Sequence, residues 1–355
     1  MDVQSVAALM SAFDPKQILA DGSFALRRAK PTDGMPPFNA LRWAMDSCLG
    51  SQLITRRTFL ALASTAAAVP SIAFGAAPKG RVETLAKFNA GDTAEPRVRI
   101  WLPPGYDISK RSYRTLYMLD GQFAFEGDSD GTNFAADRRI ARLAAAGSIQ
   151  PTLIVAIDNL EADRFLQYMP QTIYHRADGS LRAAIDRELG RSGGRPLVSA
   201  QFIQFLKTRL KPLVDARYRT KPARLDTAVF GASMAGVMAG AIFVEAQHSF
   251  GRAACMSPNW PIYDKRMIDH PQLLTLWPDY FAQLGPPAGR RLWLDHGTLM
   301  MDAGMAAHQI AIAKRLNKLG WRRGRNLQTR VYQGAGHAFA ETAVQMDELL
   351  AWLLV

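Results

Sequence analysis

One serine in this sequence has neighbours small enough for a sharp turn that would expose it as a nucleophile. Residues 230–236 read FGASMAG, where Ser233 follows a strand-like run at 225–230 and precedes an Ala-rich helical run. A serine on a strand-to-helix turn needs tiny residues on both sides, because the turning backbone passes close to itself. The pattern predicts that Ser233 is a catalytic nucleophile, with an ordinary tight turn as the alternative.

A serine hydroxyl is a weak nucleophile unless a base removes its proton. Of the six histidines, His337 lies in GAGHAF, directly after the last strand-like run, where glycines let the loop turn back over the sheet edge. We therefore expect His337 to be the base. The alternative is that His337 is an ordinary histidine of a surface loop. His296, beside Asp295 after an earlier strand, is the one rival base.

The base in turn needs a carboxylate to orient it. The segment LWLDHGTLMMD offers Asp295 and Asp302. Asp302 lies further out in the loop and gives the chain order nucleophile, acid, base. We expect Asp302 to be the catalytic acid, and Asp295 to fix the turn through backbone N–H groups.

Two backbone N–H groups are predicted to hold the oxyanion that forms during acyl transfer. The N–H of Met234 would stand at a helix N-terminus, where the helix dipole favours negative charge. The N–H of Gln122 lies in a Gly-containing turn, YMLDGQFAF, after an earlier strand-like run. Asp120 in the same turn is expected to hold that turn.

Short apolar runs typical of strands alternate with amphipathic helical patterns along most of the chain. The runs lie at 98–102, 115–119, 153–157, 225–230, 253–257, 292–295 and 328–332. This alternation predicts an α/β fold with a mostly parallel central sheet and helices on both faces. The length suits one large catalytic domain, which we assign to residues 78–355.

The longest stretch without a clear helix or strand pattern is 158–196. It carries several aromatic residues and arginines, among them Arg164 and Tyr168. Loops of this length inside a domain are usually functional or mobile. We expect Arg164 and Tyr168 to bind substrate as part of one wall of the site, with a solvated insertion as the alternative.

Several classes of function lack their sequence signals. The segment EGDSDGTN resembles the start of a calcium loop, but Arg139 stands where the closing glutamate should be. Neither a zinc-type ligand pair nor a nucleotide-binding glycine motif occurs, so no metal and no cofactor are expected. The chain carries a net charge of +12, but its basic residues are scattered, so nucleic acid is not an expected partner.

The N-terminal part reads as an export address. Residues 55–77 place Arg56 and Arg57 before an apolar stretch that ends in small residues, as in a twin-arginine signal. We expect export to the periplasm or beyond, the twin-arginine export machinery as a partner, and cleavage near Ala76; an uncleaved membrane anchor is the alternative. Residues 1–54 are expected to be a disordered extension or to reflect a wrong start codon. Cleavage would leave Cys255 as the single cysteine, without a disulfide.

At this point the chain resembles the putative-esterase family of α/β-hydrolases. Its relatives include siderophore esterases, feruloyl esterases, S-formylglutathione hydrolase and mycolyltransferases. The resemblance covers about residues 82–355 and rests on LYMLDGQ, RFLQYMP, FLKTRLKPLVDARYRT, FGASMAG, LDHGTLMMD and GAGH. Gln167 stands where the family usually has glutamate, and Ala235 where it usually has glycine. The resemblance implies the α/β-hydrolase fold and hydrolysis of carboxylic esters without a cofactor.

These observations predict an exported serine esterase with a catalytic triad of Ser233, Asp302 and His337. The substrate would be a small-molecule or polymer-linked ester. Two alternatives remain open from the sequence. The same acyl-enzyme could be handed to an alcohol by an acyltransferase, or the chain could be a non-catalytic binding protein on a hydrolase scaffold.

Overall fold

Eight strands form one sheet in the part of the chain that the computed structural model describes, residues 80–85, 96–190, 195–262 and 270–355. The predicted N-terminal extension and export signal lie outside these residues. The strands are β1 (Arg81–Thr84), β2 (Val98–Leu102), β3 (Arg114–Leu119), β4 (Thr152–Ile157), β5 (Thr227–Ala232), β6 (Arg252–Met256), β7 (Arg291–Gly297) and β8 (Leu327–Tyr332).

The order of strands across the sheet is β1-β2-β4-β3-β5-β6-β7-β8. The pairs β1 with β2 and β2 with β4 are antiparallel, and every pair from β4 to β8 is parallel. The carboxyl ends of six consecutive parallel strands therefore meet at one edge of the sheet. The predicted mostly parallel sheet of an α/β-hydrolase is confirmed.

Helices cover both faces of this sheet. They are α1 (Ala136–Ala145), α2 (Arg164–Tyr168), α3 (Gln171–Arg176), α4 (Gly179–Glu188), α5 (Ser199–Phe205), α6 (Lys211–Arg217), α7 (Met234–Glu245), α8 (Leu273–Phe281), α9 (Ala306–Lys318), α10 (Phe339–Val344) and α11 (Met346–Leu354). A π-helical segment, Leu206–Leu210, joins α5 to α6. None of the helices in the described residues is long and apolar enough to cross a membrane.

Alternate residues of the central strands pack into two separate cores, because side chains of a strand point to opposite faces. In β4, Leu153, Val155 and Ile157 join a core with helices α2 to α9, whereas Ile154 and Ala156 join a core with α1 and α11. Every residue of β4 is buried. Burial on both faces explains why this strand reads as a continuous apolar run.

The predicted strands are present, with ends that differ by at most two residues. Strand β5 begins at Thr227, because Leu225 lies in a short 3-10 turn, Arg224–Asp226. Strand β1 was not predicted. It is a four-residue, mostly exposed edge strand, and it therefore lacks the apolar pattern that marks a buried strand.

The prediction that 158–196 is a long loop was wrong, since helices α2, α3 and α4 lie within it. These helices have only five to ten residues, too few to show a clear helical period. Their local signals are nevertheless present. The carboxylate of Asp178 caps α4 by accepting a hydrogen bond from the Leu181 N–H at 2.8 Å, while Leu181 and Ile185 are buried.

Candidate active site

Ser233 occupies the single residue between strand β5 and helix α7 and has a strained backbone, with φ 60° and ψ −127°. The turn requires glycine at position 231, because a Cβ on this residue would collide with the backbone carbonyl of Ala235. A Cβ at Gly236 would come within 3.1 Å of the carbonyl oxygens of Gly231 and Met256. Small residues at both positions therefore let the chain turn sharply enough to present Ser233.

His337 meets this serine from the loop that follows strand β8. Its Nε2 lies 2.9 Å from Ser233 Oγ, and its Nδ1 lies 2.6 Å from Asp302 Oδ1. Since a carboxylate only accepts hydrogen bonds, Nδ1 carries the proton and Nε2 accepts from the serine hydroxyl. The three side chains expected from the sequence thus lie in one hydrogen-bonded chain, in the order that acyl transfer requires.

The loops after β7 and β8 hold each other in place beside this chain. The N–H groups of Thr298 and Leu299 both donate to the carbonyl of Ala335, and the Gly334 N–H donates to Thr298 Oγ1 at 2.9 Å. A Cβ at Gly297 would collide with the carbonyl of Ala335, so glycine permits the close approach. The loops that carry Asp302 and His337 are therefore hydrogen-bonded directly to each other.

Asp302 lies in a 3-10 segment, Met300–Met305, and is fully buried. Its Oδ2 accepts hydrogen bonds from the Gly297 N–H and from the Ser257 hydroxyl, each at 2.7 Å. Burial by itself raises the pKa of this carboxyl, but the hydrogen bond and charge of His337, with those two donors, outweigh burial and lower its pKa. Asp302 is thus held as an anion against His337.

Asp295 and His296, the alternative acid and base in the sequence, contact residues other than His337 and Ser233. Asp295 accepts hydrogen bonds from the Ser257 N–H at 2.7 Å and from the Trp293 indole at 2.6 Å. It therefore ties β7 to the residue that follows β6. Burial raises the pKa of Asp295 to about 7. His296 is buried, and its Nδ1 lies 2.5 Å from the carbonyl oxygen of its neighbour Gly297.

The two predicted oxyanion donors lie at the ends of β3 and β5. Met234 is the first residue of helix α7, where N–H groups have no partner within the helix. Gln122 lies in a 3-10 turn, Gly121–Phe123, and lines the same cavity as Ser233. A Cβ at Gly121 would collide with the backbone of Ile157, so glycine lets this turn lie against β4.

Of the two predicted substrate-binding residues, the structure brings one to the site. Arg164 lines the cavity and binds the Asp120 carboxylate through Nε and Nη2, at 2.9 and 2.6 Å. Asp120 also accepts from Asn159 Nδ2 at 2.6 Å. The Asp120 carboxylate thus links the loop after β3 to the segment after β4.

Tyr168 is not among the residues that line the cavity, and none of the contacts described for it supports the predicted role in substrate binding. Its side chain is fully buried, its ring packs against Phe202, and its hydroxyl oxygen accepts the Asp120 N–H at 3.2 Å. Helix α2 turns this ring into the core. Gln167, the residue that departs from the family pattern, is also buried and accepts the Leu160 N–H at 3.0 Å.

The site opens into a cavity of about 470 Å³. One side is aromatic, where the ring of Phe339 lies 4.5 Å from that of Phe134 and 5.7 Å from that of Phe123, between centroids. The polar part of the lining, the polar wall, is formed by Asp120, Asn159, Glu161 and Arg164. Ser233 and His337 lie in the lining of the same cavity.

Ser257 and Asn159 are parts of the site that the sequence analysis did not single out. Ser257 is the last residue of one predicted strand-like run, and Asn159 lies two residues after another, at the carboxyl edge of the sheet where ligand sites of α/β folds occur. That position was the available signal. In the segment that resembles a calcium loop, the Asp128 carboxylate accepts hydrogen bonds from Arg99 Nη1 at 2.8 Å and from the Phe125 N–H at 2.9 Å.

Comparison with solved structures shows the same fold in several esterases. A ferulic acid esterase is 17% identical with a TM-score of 0.53, over 78% of this chain and 98% of its own. An IroE-like serine hydrolase from Shewanella oneidensis is 18% identical with a TM-score of 0.55, over 78% and 80%. A ferulic acid esterase from Anaeromyces mucronatus, in complex with ferulic acid, is 16% identical with a TM-score of 0.50, over 78% and 91%.

A family model goes further than these distant structural likenesses. The model described as "Putative esterase" matches residues 93–353, which is most of the chain and contains every residue of the site described above. This chain therefore belongs to the putative-esterase family, and it is a carboxylic ester hydrolase with the α/β-hydrolase fold.

Proposed function

We propose that this chain is a serine esterase that hydrolyses carboxylic esters through an acyl-enzyme on Ser233. The observation that carries the proposal is the continuous chain of contacts from Ser233 Oγ to His337 Nε2 at 2.9 Å, and from His337 Nδ1 to Asp302 Oδ1 at 2.6 Å. Nucleophile, base and orienting acid within this range are the geometric signature of nucleophilic catalysis.

In the first half-reaction, Ser233 Oγ attacks the ester carbonyl while His337 Nε2 takes the hydroxyl proton. Asp302 keeps the proton on Nδ1 and stabilises the imidazolium that forms. The N–H groups of Met234 and Gln122 donate to the oxyanion of the tetrahedral intermediate. The imidazolium then returns its proton to the departing alcohol, and the acyl group remains on Ser233.

In the second half-reaction, water attacks the acyl-enzyme while His337 takes a proton from it. Collapse of the second tetrahedral intermediate breaks the bond to Ser233 Oγ and releases the carboxylic acid. The serine regains its proton from the imidazolium. All proton transfers in both halves use the same histidine nitrogen, and no cofactor takes part.

We propose further that the aromatic wall of Phe123, Phe134 and Phe339 holds a flat aromatic group of the ester. Aromatic rings favour tilted or offset packing, and these three side chains already pack against one another in tilted pairs. An aromatic group of the ester could pack against them in the same way. The ferulic acid complex of the Anaeromyces mucronatus esterase shows that a protein with this fold binds an aromatic acid. The polar wall would then face the oxygen-bearing part of the substrate.

We also propose export through the twin-arginine route, which rests on the sequence of residues 55–77 alone. Replacing both Arg56 and Arg57 with lysine should leave the precursor in the cytoplasm of a host that has this route. N-terminal sequencing of the exported wild-type protein should begin near Ala76 or Ala77. Normal export of the double variant would reject this route without affecting the esterase proposal.

The esterase proposal is tested by removal of the nucleophile. Ser233→Ala should lower kcat by about 10⁴ to 10⁶-fold while the circular dichroism spectrum stays unchanged. Ser199→Ala is the matched control, because Ser199 is a buried serine whose hydroxyl accepts only the Gln171 N–H among the contacts described, at 2.9 Å, away from the cavity. Near-normal turnover by the folded Ser233→Ala protein would reject the proposal. Product analysis with and without an added alcohol separates hydrolysis from acyl transfer.

A further inference from the structure

Ser257 directs both of its hydrogen-bond donors at carboxylates. It follows strand β6 at the carboxyl edge of the sheet and is almost fully buried. Its hydroxyl donates to Asp302 Oδ2 and its N–H donates to Asp295 Oδ1, both at 2.7 Å. This places one residue between the proposed triad acid and a second buried carboxyl.

We infer that Ser257 is a positioning residue for the proposed reaction: its hydroxyl fixes the Asp302 carboxylate in the orientation and the charged form that His337 requires. The inference rests on the proposed triad and adds a fourth residue to it. Ser257 takes no part in bond making, since its hydroxyl hydrogen is already committed to Asp302.

The argument starts from the burial of Asp302. A fully buried carboxylate keeps its charge only if donors replace the water it has lost. His337 satisfies Oδ1, whereas Oδ2 depends on Ser257 and on the N–H of Gly297. Without the hydroxyl, one buried oxygen would keep a single donor, and the negative charge would be less stable.

The backbone conformation of Ser257 is one that the surrounding structure must stabilise. Its φ is 38°, a left-handed conformation that residues with a side chain rarely adopt. The bond from its N–H to Asp295 holds this conformation and so aims the hydroxyl at Asp302. Strain of this kind persists where neighbouring contacts over-determine a residue, and it concentrates at functional sites.

This conformation offers two ways to remove the hydroxyl. Ser257→Ala keeps a Cβ and the strained backbone. Ser257→Gly removes the hydroxyl as well but suits a positive φ, so it is the safer variant for folding. An effect of the missing hydroxyl should appear in both variants, whereas an effect of backbone strain should differ between them.

The other ionisable groups around the two carboxyls are not substituted in these variants. His337 faces Asp302 from the loop after β8, and Asp295 faces it from β7. Glu348 of α11 and Tyr332 of β8 act on Asp295. Because these four groups are untouched, a change in pH dependence would trace to the Ser257 hydroxyl.

The test is the pH profile of kcat/KM for a soluble aryl ester, measured for the wild type and for both Ser257 variants. A less stable Asp302 anion takes up a proton at higher pH. The acidic limb of the pH profile belongs to the coupled Asp302–His337 pair. This limb should therefore move to higher pH by on the order of one pH unit. At the optimum, kcat should fall by about 10 to 100-fold with little change in KM. The proton NMR signal of His337 Nδ1–H should also shift.

Ser199→Ala is again the matched control and should leave the acidic limb in place. A wild-type acidic limb in either folded Ser257 variant would overturn the inference, as would an equal loss of rate at every pH with the limb unmoved. The proposed function fails separately: full activity of Ser233→Ala would reject the triad, whereas a dead Ser233→Ala with unshifted Ser257 variants would reject only the role of Ser257.

Discussion

Asp295 and Asp302 both accept hydrogen bonds from Ser257. The Ser257 N–H donates to Asp295 Oδ1 and its hydroxyl donates to Asp302 Oδ2, both at 2.7 Å. Asp302 in addition accepts a hydrogen bond from His337 Nδ1 at 2.6 Å. Two buried carboxyls, one in strand β7 and one in the segment that follows it, therefore have different tasks. One faces the proposed base, and the other fixes the strand ends that support the site.

This division predicts different effects of the same substitution. Asp302→Asn should lower kcat by about 10⁴-fold, because an amide favours the wrong tautomer of His337. Asp295→Asn should lower it by no more than about tenfold, because its Oδ1 can still accept the Ser257 N–H and only support of the site is weakened. Steady-state kinetics of the two purified variants decide the matter; equal losses, or a larger loss for Asp295→Asn, would contradict the assignment of Asp302.

Asp295 should also make stability depend on pH. Burial raises its pKa from 3.8 to about 7 in the folded protein. Between these values the folded state keeps a proton that the unfolded chain has released, so the free energy of unfolding should fall as pH rises through this window, by at most about 1.4 kcal/mol per pH unit. Above about pH 7 this contribution should level off.

Urea unfolding at pH 5 and pH 8 measures this dependence. The drop in the free energy of unfolding between the two pH values should be smaller for Asp295→Asn than for the wild type. Asp279→Asn is the control, because Asp279 is a largely exposed carboxylate of helix α8. An unchanged drop in Asp295→Asn would show that Asp295 does not hold a proton in the folded protein.

The turn around Ser233 depends on two glycines to different degrees. A Cβ at Gly231 would collide with the carbonyl of Ala235, whereas one at Gly236 would meet backbone oxygens at 3.1 Å, which is a milder contact. Gly231→Ala should therefore destabilise the protein by about 3 kcal/mol, and Gly236→Ala by about 1 kcal/mol. Thermal unfolding of both variants is the check, and equal Tm values would disprove this ranking.

Much of the fold could be predicted because its signals are local. Buried strands such as β4 read as continuous apolar runs, and the FGASMAG turn needs small residues wherever it occurs. The loops after the last two strands could be assigned to one site, because parallel strands end at the same edge. The contact of Asp302 with His337 follows from this rule and is present in the structure. The catalytic roles of these residues stay predictions.

The parts that could not be predicted depend on packing between distant segments. Tyr168 lies in a five-residue helix too short to show which face is buried, and its ring turns into the core. The contact of Ser257 with Asp302 joins the segments that follow β6 and β7, and the two residues are 45 apart in sequence. Neither arrangement leaves a pattern in the nearby residues.

The aromatic wall and Tyr168 should respond differently to substitution. Phe123→Leu should lower kcat/KM for aryl esters by about tenfold relative to acetyl esters, because it removes a partly exposed ring from the cavity. Tyr168→Phe removes only a buried hydroxyl that accepts the Asp120 N–H, so it should lower Tm without changing the ratio between substrates. A changed ratio in Tyr168→Phe, or none in Phe123→Leu, would contradict this view of the cavity.

The central claim is that Ser233 carries the acyl group, and covalent labelling tests it most directly. The wild-type protein is treated with a fluorophosphonate, and its intact mass and peptide map are measured by mass spectrometry, with Ser233→Ala in parallel. We predict one adduct per chain, located on Ser233, and none on the folded Ser233→Ala protein. An adduct on another residue, or equal labelling of the Ser233→Ala protein, would contradict the account.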